Sequence, residues 1–157
     1  MNKIRFKNGK WYFDAYFEYL NKHLEEIPVE IRGFLTDYSR YSLSDEKTLH
    51  DSILIDVKSN LTQKGQGAVI KLQGSYSDKI FCFRFGGVSK IEFGKRNTLL
   101  PNAELITFQF EIVKCNLFRM VYFFDCDTLK IEFNELIIVE TKIDASNNAN
   151  QSPRKVD

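Results

Sequence analysis

The sequence predicts an α+β fold: two N-terminal helices packed on a mainly antiparallel, curled β-meander of about seven strands. Three observations predict it. Apolar residues recur at helical spacing only within residues 14–35. Between residues 50 and 141 apolar and polar residues alternate with period two, in runs broken by Gly, Asn and Asp. Helices first and strands afterwards is the order of α+β rather than of alternating α/β units.

The first element is a short hairpin or an irregular arm laid on the domain. Ile4-Arg5-Phe6-Lys7 alternates, Asn8-Gly9 is a turn signal, and Lys10-Trp11-Tyr12-Phe13 follows. Asp14 is the expected N-cap of a helix running to Glu26. Its core stripe is Phe17, Leu20 and Leu24, with Tyr16 one turn before Leu20. Pro28 stops that helix and suits the first turn of the next, which carries Val29, Ile31, Phe34 and Leu35. Gly33 weakens it. Residues 36–48 form a polar connector holding Tyr38, Arg40 and Tyr41, with Ser44-Asp45-Glu46-Lys47 as one helical turn.

The sheet opens at Leu49-His50-Asp51-Ser52, a polar corner before Ile53, Ile55 and Val57. Ala68, Ile70 and Leu72 mark the next strand, and Phe81, Phe83 and Phe85 the third. Gly86-Gly87 bends that strand before Ile91 and Phe93. A loop over 95–102 carries Leu99-Leu100-Pro101. Then come Ile106 to Ile112, Phe118 to Phe124 and Leu129 to Phe133, with turns at Asn116 and at Asp125-Cys126-Asp127-Thr128. Residues 135–141 close the sheet. Residues 80–85 and 118–124 are apolar on both faces, so the sheet is expected to curl as a half-barrel or sandwich.

Residues 1–143 read as one domain, with its helical part at 14–35 and its sheet at 50–141. The 144–157 segment has little to bury and reads as a disordered tail. Lys+Arg number 22 against 21 Asp+Glu, interspersed. This balance gives no electrostatic footprint for nucleic acid and no polybasic patch for a membrane. Cys82, Cys115 and Cys126 are odd in number, lack a C-x-x-C pair and lie in or beside apolar strands, so they read as buried thiols. The first ten residues lack an apolar h-region, and no stretch approaches the roughly 18 apolar residues of a membrane span, so a cytoplasmic location is expected.

Chemistry-bearing motifs are weak. His50-Asp51-Ser52 holds the residue types of a hydrolase triad, but neighbours on a strand point to opposite faces, whereas triad side chains must converge. Strand-end hydrogen bonding is the better reading. His23 and His50 lack metal-ligand spacing, and Asp125-Cys126-Asp127 lacks a calcium loop's ligand count. Gly65-Gln66-Gly67 precedes a strand, whereas a phosphate loop opens a helix. Asp45, Glu46, Asp51 and Asp56 have no spacing that singles them out as an acid–base pair. Phe81, Phe83 and Phe85 lack the basic neighbours of a base-stacking platform. No catalytic residue, metal or cofactor is assigned.

At Leu49-His50-Asp51-Ser52 the chain resembles a group of small bacterial proteins that open a strand with W/L-H-D-S/A and continue as an aromatic meander. Gly86-Gly87-Val88 is similar to their F-x-G-V strand, and the run from Phe124 to Phe133 to their closing hairpin. The resemblance spans residues 49–140. Some of that group resemble immunity proteins encoded beside secreted polymorphic toxins. The lack of a reactive centre on a rigid sheet leads to a non-enzymatic protein-binding protein; the resemblance adds the immunity-type role of occluding a toxin and implies no catalytic residues. Tyr38, Arg40 and Tyr41 are the first candidates for partner contact, since Tyr and Arg are enriched at interface hot spots. His50 and Asp51 join them as weaker candidates. Alanine at 38, 40 or 41 is expected to weaken partner capture and spare folding. The alternatives are a small-molecule module with a pocket between helices and sheet, and a hydrolase using His50.

Overall fold

The computed structural model describes residues 3–63, 65–96, 99 and 102–144. Residues 145–157 of the expected tail, and Leu100 and Pro101 of the loop, lie outside the described residues.

Asn8 and Gly9 both take positive φ, 53° and 73°, and turn β1 (Arg5–Lys7) onto β2 (Lys10–Tyr12). The hairpin alternative therefore holds over the irregular arm. Phe6 and Trp11 are register partners with ring centroids 4.9 Å apart. Helix α1 (Asp14–Lys22) starts one residue earlier than expected: Phe13 is its N-cap, with no side-chain cap bond, and Asp14 lies in the first turn. An acid there still complements the helix dipole. The helix ends at Lys22, because His23 leaves helical geometry and Leu24–Glu26 form a 3-10 turn. Tyr16 and Leu20 are its buried residues, while Phe17 is only partly covered. Helix α2 (Val29–Thr36) follows Pro28 and buries Ile31 and Leu35.

The sheet holds eight antiparallel strands: β3 (Ser52–Thr62), β4 (Gly65–Gln73), β5 (Lys79–Gly86), β6 (Lys90–Phe93), β7 (Glu104–Lys114), β8 (Leu117–Phe124), β9 (Thr128–Phe133) and β10 (Glu135–Lys142). The α+β reading stands, with eight strands in place of about seven. The extra strand arises at Gly87, whose φ of 58° ends β5 so that β6 pairs elsewhere. The order is β10-β5-β4-β3-β7-β8-β9-β6, so a plain meander is not the topology. Two meanders, β3-β4-β5 and β7-β8-β9, meet at a seam where only Ser52 and Ile53 pair with Leu105 and Glu104. β10 lies beside β5 and β6 beside β9, at opposite ends of that order. Yet β9 and β10 are separated by Asn134 alone, whose amide donates to the Gly86 carbonyl at 3.0 Å.

The core is aromatic. Phe83 on β5 lies 5.6 Å from Tyr122 on β8, and Phe85 on β5 lies 4.9 Å from Phe133 on β9, measured between ring centroids. Beyond the seam, α1 serves the β7 edge with tyrosine hydroxyls. Tyr16 Oη accepts from the Phe110 amide at 2.9 Å and Tyr19 Oη from the Ile112 amide at 2.8 Å. Gln109 is buried and its Oε1 accepts from the amides of Lys3 and Ile4, which ties the N-terminal ribbon to β7. The three cysteines differ: Cys82 is buried, Cys126 partly so, and Cys115 is exposed in the turn after β7, where no apolar strand covers it. Among the described residues no helix is long and apolar enough to cross a membrane.

Candidate functional site

The connector between α2 and β3 carries three of the residues singled out in the sequence, and the fold treats them differently. Asp37 caps a 3-10 turn, Tyr38–Arg40, through its bond from the Ser39 amide. Burial pushes the Asp37 carboxyl up. The Ser39 hydroxyl and amide, with Lys47 and Arg40, outweigh that and hold it below the usual carboxylate range.

Tyr41 is not on the surface. It is 4% exposed, its ring stacks on Phe108 with centroids 4.5 Å apart, and its hydroxyl donates to the Leu35 carbonyl at 3.1 Å. Tyr41 is thus a core residue that pins the connector, and alanine there is not expected to spare the fold. The sequence signal misled because one apolar ring in a polar stretch reads the same whether it points in or out.

Arg40 is also largely withdrawn, with its side chain 13% exposed. Its Nη1 donates to Glu140 Oε2 on β10 at 2.8 Å, and its guanidinium carbon lies 4.7 Å from the Phe34 ring centroid. Lys79 Nζ approaches the other Glu140 oxygen at 3.4 Å and donates to the Glu46 carbonyl. Two cations therefore hold one carboxylate and fasten both ends of the connector to the β5–β10 ladder. Alanine at Arg40 is likewise not expected to leave folding untouched.

Tyr38 is the exposed member, at 59%. Its ring packs against Phe17 at 5.3 Å and edge-on to Phe13 at 6.3 Å. It borders a surface cleft of about 420 Å³ whose walls include Trp11, Phe13, Tyr41 and Leu43. Leu43 is 67% exposed there. The connector and β2 thus build one aromatic cleft with a rigid floor and a solvent-facing lip. Trp11, Phe13 and Leu43 were not singled out from the sequence. The signal was the Trp11-Tyr12-Phe13 run beside an Asn-Gly turn, which places apolar rings on a ribbon too small to bury them all.

His50 and Asp51 sit elsewhere, at the corner before β3. Asp51 takes φ of 61° and its amide donates to the Leu105 carbonyl at 2.8 Å. His50 Nδ1 donates to the Ile106 carbonyl at 2.7 Å, and Nε2 lies 3.0 Å from Asp51 Oδ1. Ser52 is fully buried and its hydroxyl meets no hydrogen-bond partner among the described residues, so it does not engage His50. Chemically the corner is a clamp on the open edge of β7. Among the described residues no three His, Cys, Asp or Glu side chains gather as a metal site.

A second cleft, about 470 Å³, lies between α2 and β10 and is lined by Pro28, Glu30, Ile31 and the β10 start from Glu135 to Ile138. Compared with known proteins, the chain matches no family model and no curated sequence.

Proposed function

We propose that the chain is a non-enzymatic protein-binding protein, of the kind that inhibits a toxin by occluding it, and that it grips its partner in the Trp11–Tyr38–Leu43 cleft. One observation carries this reading: Tyr38 and Leu43 stay exposed beside rings that are locked into the core through Tyr41. A rigid aromatic patch loses little side-chain entropy on binding, which is the character of an interface hot spot. The immunity-type role rests on the resemblance of Leu49-His50-Asp51-Ser52 and the closing hairpin described above.

The scaffold beneath is a sheet that curls on itself. Four ladder steps separate β5 from β8, which in a flat sheet is about 19 Å at roughly 4.8 Å per step. The Phe83 and Tyr122 rings are 5.6 Å apart, which supports curling about the aromatic core.

The test is affinity capture with purified chain, wild type against Tyr38→Ala and Leu43→Ser. The reading expects a stoichiometric protein partner on the wild type, lost from both variants at unchanged melting temperature, and a partner whose toxicity is relieved by co-expression. Equal retention by all three proteins would rule the cleft out as the gripping surface. A second reading, small-molecule binding, is favoured by the α2–β10 cleft, whose volume falls within the range of ligand pockets. A ligand screen by thermal shift tests it, since a specific ligand raises the melting temperature by mass action.

A further inference from the structure

The β1–β2 ribbon carries charge that the fold does not use. Residues 1–13 contain Lys3, Arg5, Lys7 and Lys10 and no acid, which leaves the rest of the chain with more acids than bases. Pairing puts Arg5 opposite Tyr12 and Lys7 opposite Lys10. Alternation then collects Arg5, Lys7, Lys10 and Tyr12 on one ribbon face and leaves Phe6 and Trp11 on the other. Like charges directly opposite in an antiparallel pair are destabilising. Lys7 and Lys10 accept that cost at the turn. Among the described residues no ion pair reaches Arg5, Lys7 or Lys10; Asp14 and Glu18, the next acids along the chain, pair with none of them.

The cationic face has a shape as well as a sign. A cleft of about 390 Å³ is lined by Lys3, Arg5, Lys7, Asn8, Tyr12 and Ala15. Around the turn, Gly9, Lys10 and Trp11 belong to the aromatic cleft of Tyr38 and Leu43. One ribbon therefore supplies a wall of the aromatic cleft and the charged ground beside it.

We infer that the partner presents an acidic protein segment, whose carboxylates seat on Arg5, Lys7 and Lys10 while its apolar side chains enter the aromatic cleft; this deepens, and rests on, the protein-binding reading above. Arg5 suits bidentate carboxylate contact, and the lysines supply steering charge. A long phosphate backbone fits less well, because the net-acidic remainder of the chain repels it beyond the short ribbon.

The experiment measures fluorescence anisotropy of a labelled random copolymer of glutamate and tyrosine, with labelled oligothymidylate as the rival probe. Proteins are the full chain, the triple variant Arg5→Ser/Lys7→Ser/Lys10→Ser, the single variant Lys7→Ser, and Tyr38→Ser. Near-UV circular dichroism checks each fold, and Lys7→Ser serves if the triple variant fails it. The wild type is expected to bind the copolymer, and more weakly in about 300 mM salt than in about 50 mM. The triple variant is expected to bind at least about tenfold more weakly. Weaker binding by the triple variant with Tyr38→Ser unchanged supports the ribbon and overturns the cleft. Unchanged binding by the charge variants with weaker binding by Tyr38→Ser overturns the ribbon and leaves the cleft reading standing. Tighter binding of oligothymidylate than of the copolymer, or no binding of the copolymer by the wild type, overturns the inference.

Discussion

The Tyr16 hydroxyl accepts a hydrogen bond from the Phe110 amide at 2.9 Å, filling a place on the β7 edge that a neighbouring strand would otherwise take. An amide only donates and a carbonyl only accepts, so the two ends of the chain fix its direction. Phe110 N–H donates to Tyr16, Tyr16 donates to Tyr41 across 3.2 Å, and Tyr41 donates to the Leu35 carbonyl. Helix, connector and sheet are joined by three hydrogen bonds donated in one direction. Tyr16→Phe keeps the ring and strands the buried Phe110 amide, so it is expected to lower stability by about 1–3 kcal/mol in urea unfolding. Tyr19→Phe frees the Ile112 amide at a partly exposed site, where water substitutes, and is expected to cost less. Equal costs at the two positions would show that the Tyr16 relay is not special.

Arg40 and Glu140 make the corresponding fastening at the other side of the connector. Their separation is 2.8 Å, with the carboxylate about a third exposed, so the pair is worth less than a fully buried one. Arg40→Ala is expected to destabilise by about 1–2 kcal/mol, and Glu140→Gln by at least as much, because it removes the countercharge that Arg40 shares with the buried Lys79. A double-mutant cycle checks the link: coupling of about 0.5 kcal/mol or more is expected, and full additivity would mean that Arg40 acts through its other contacts, with Asp37, the Lys47 carbonyl, Phe34 and Phe81.

Particular residues show how far the sequence could be read. The Phe81, Phe83 and Phe85 alternation marked a strand because period two is local, and all three are buried on one face. The place of β6 beside β9 was not legible, since it depends on a turn at Gly87 whose handedness no neighbouring residue announces. Tyr38 and Tyr41 lie three residues apart in one polar stretch, yet one is exposed and the other buried. Contacts outside that stretch decide between them: Tyr41 stacks on Phe108, far along the chain, and packs edge-on to Tyr16. The cationic ribbon was hidden differently: whole-chain neutrality masked a cluster that was local all along.

Gly87 and Gly33 make opposite predictions from the same substitution. Gly87 has φ of 58°, and a Cβ there would overlap the Asn134 side chain, which is held by its bond to the Asn116 carbonyl. Gly87→Ala is expected to cost about 1–3 kcal/mol and to loosen the corner between β5 and β6. Gly33 sits on the exposed face of α2, and no atom lies within 4 Å of the place an added methyl would occupy. Gly33→Ala is expected to stabilise by about 0.4–1 kcal/mol through helix propensity and a less free unfolded chain. Thermal melts of the two variants should move in opposite directions.

Alkaline pH probes the buried tyrosines together. Burial pushes the Tyr16, Tyr41 and Tyr122 phenols up from their ordinary value near 10. A raised folded-state pKa means that the native chain keeps its proton where the unfolded chain has lost it. The stabilisation is therefore whole below about pH 10 and declines as pH rises above it. Each such tyrosine adds a slope of about 1.4 kcal/mol per pH unit, so three acting together give a steep fall. Urea unfolding at stepped pH should show stability flat up to pH near 10 and dropping beyond it, and phenolate absorbance should complete its rise only as circular dichroism is lost. A full phenolate signal from a chain with native circular dichroism would mean that these hydroxyls reach water without unfolding, and the relay from Phe110 to Leu35 would then not be closed to solvent.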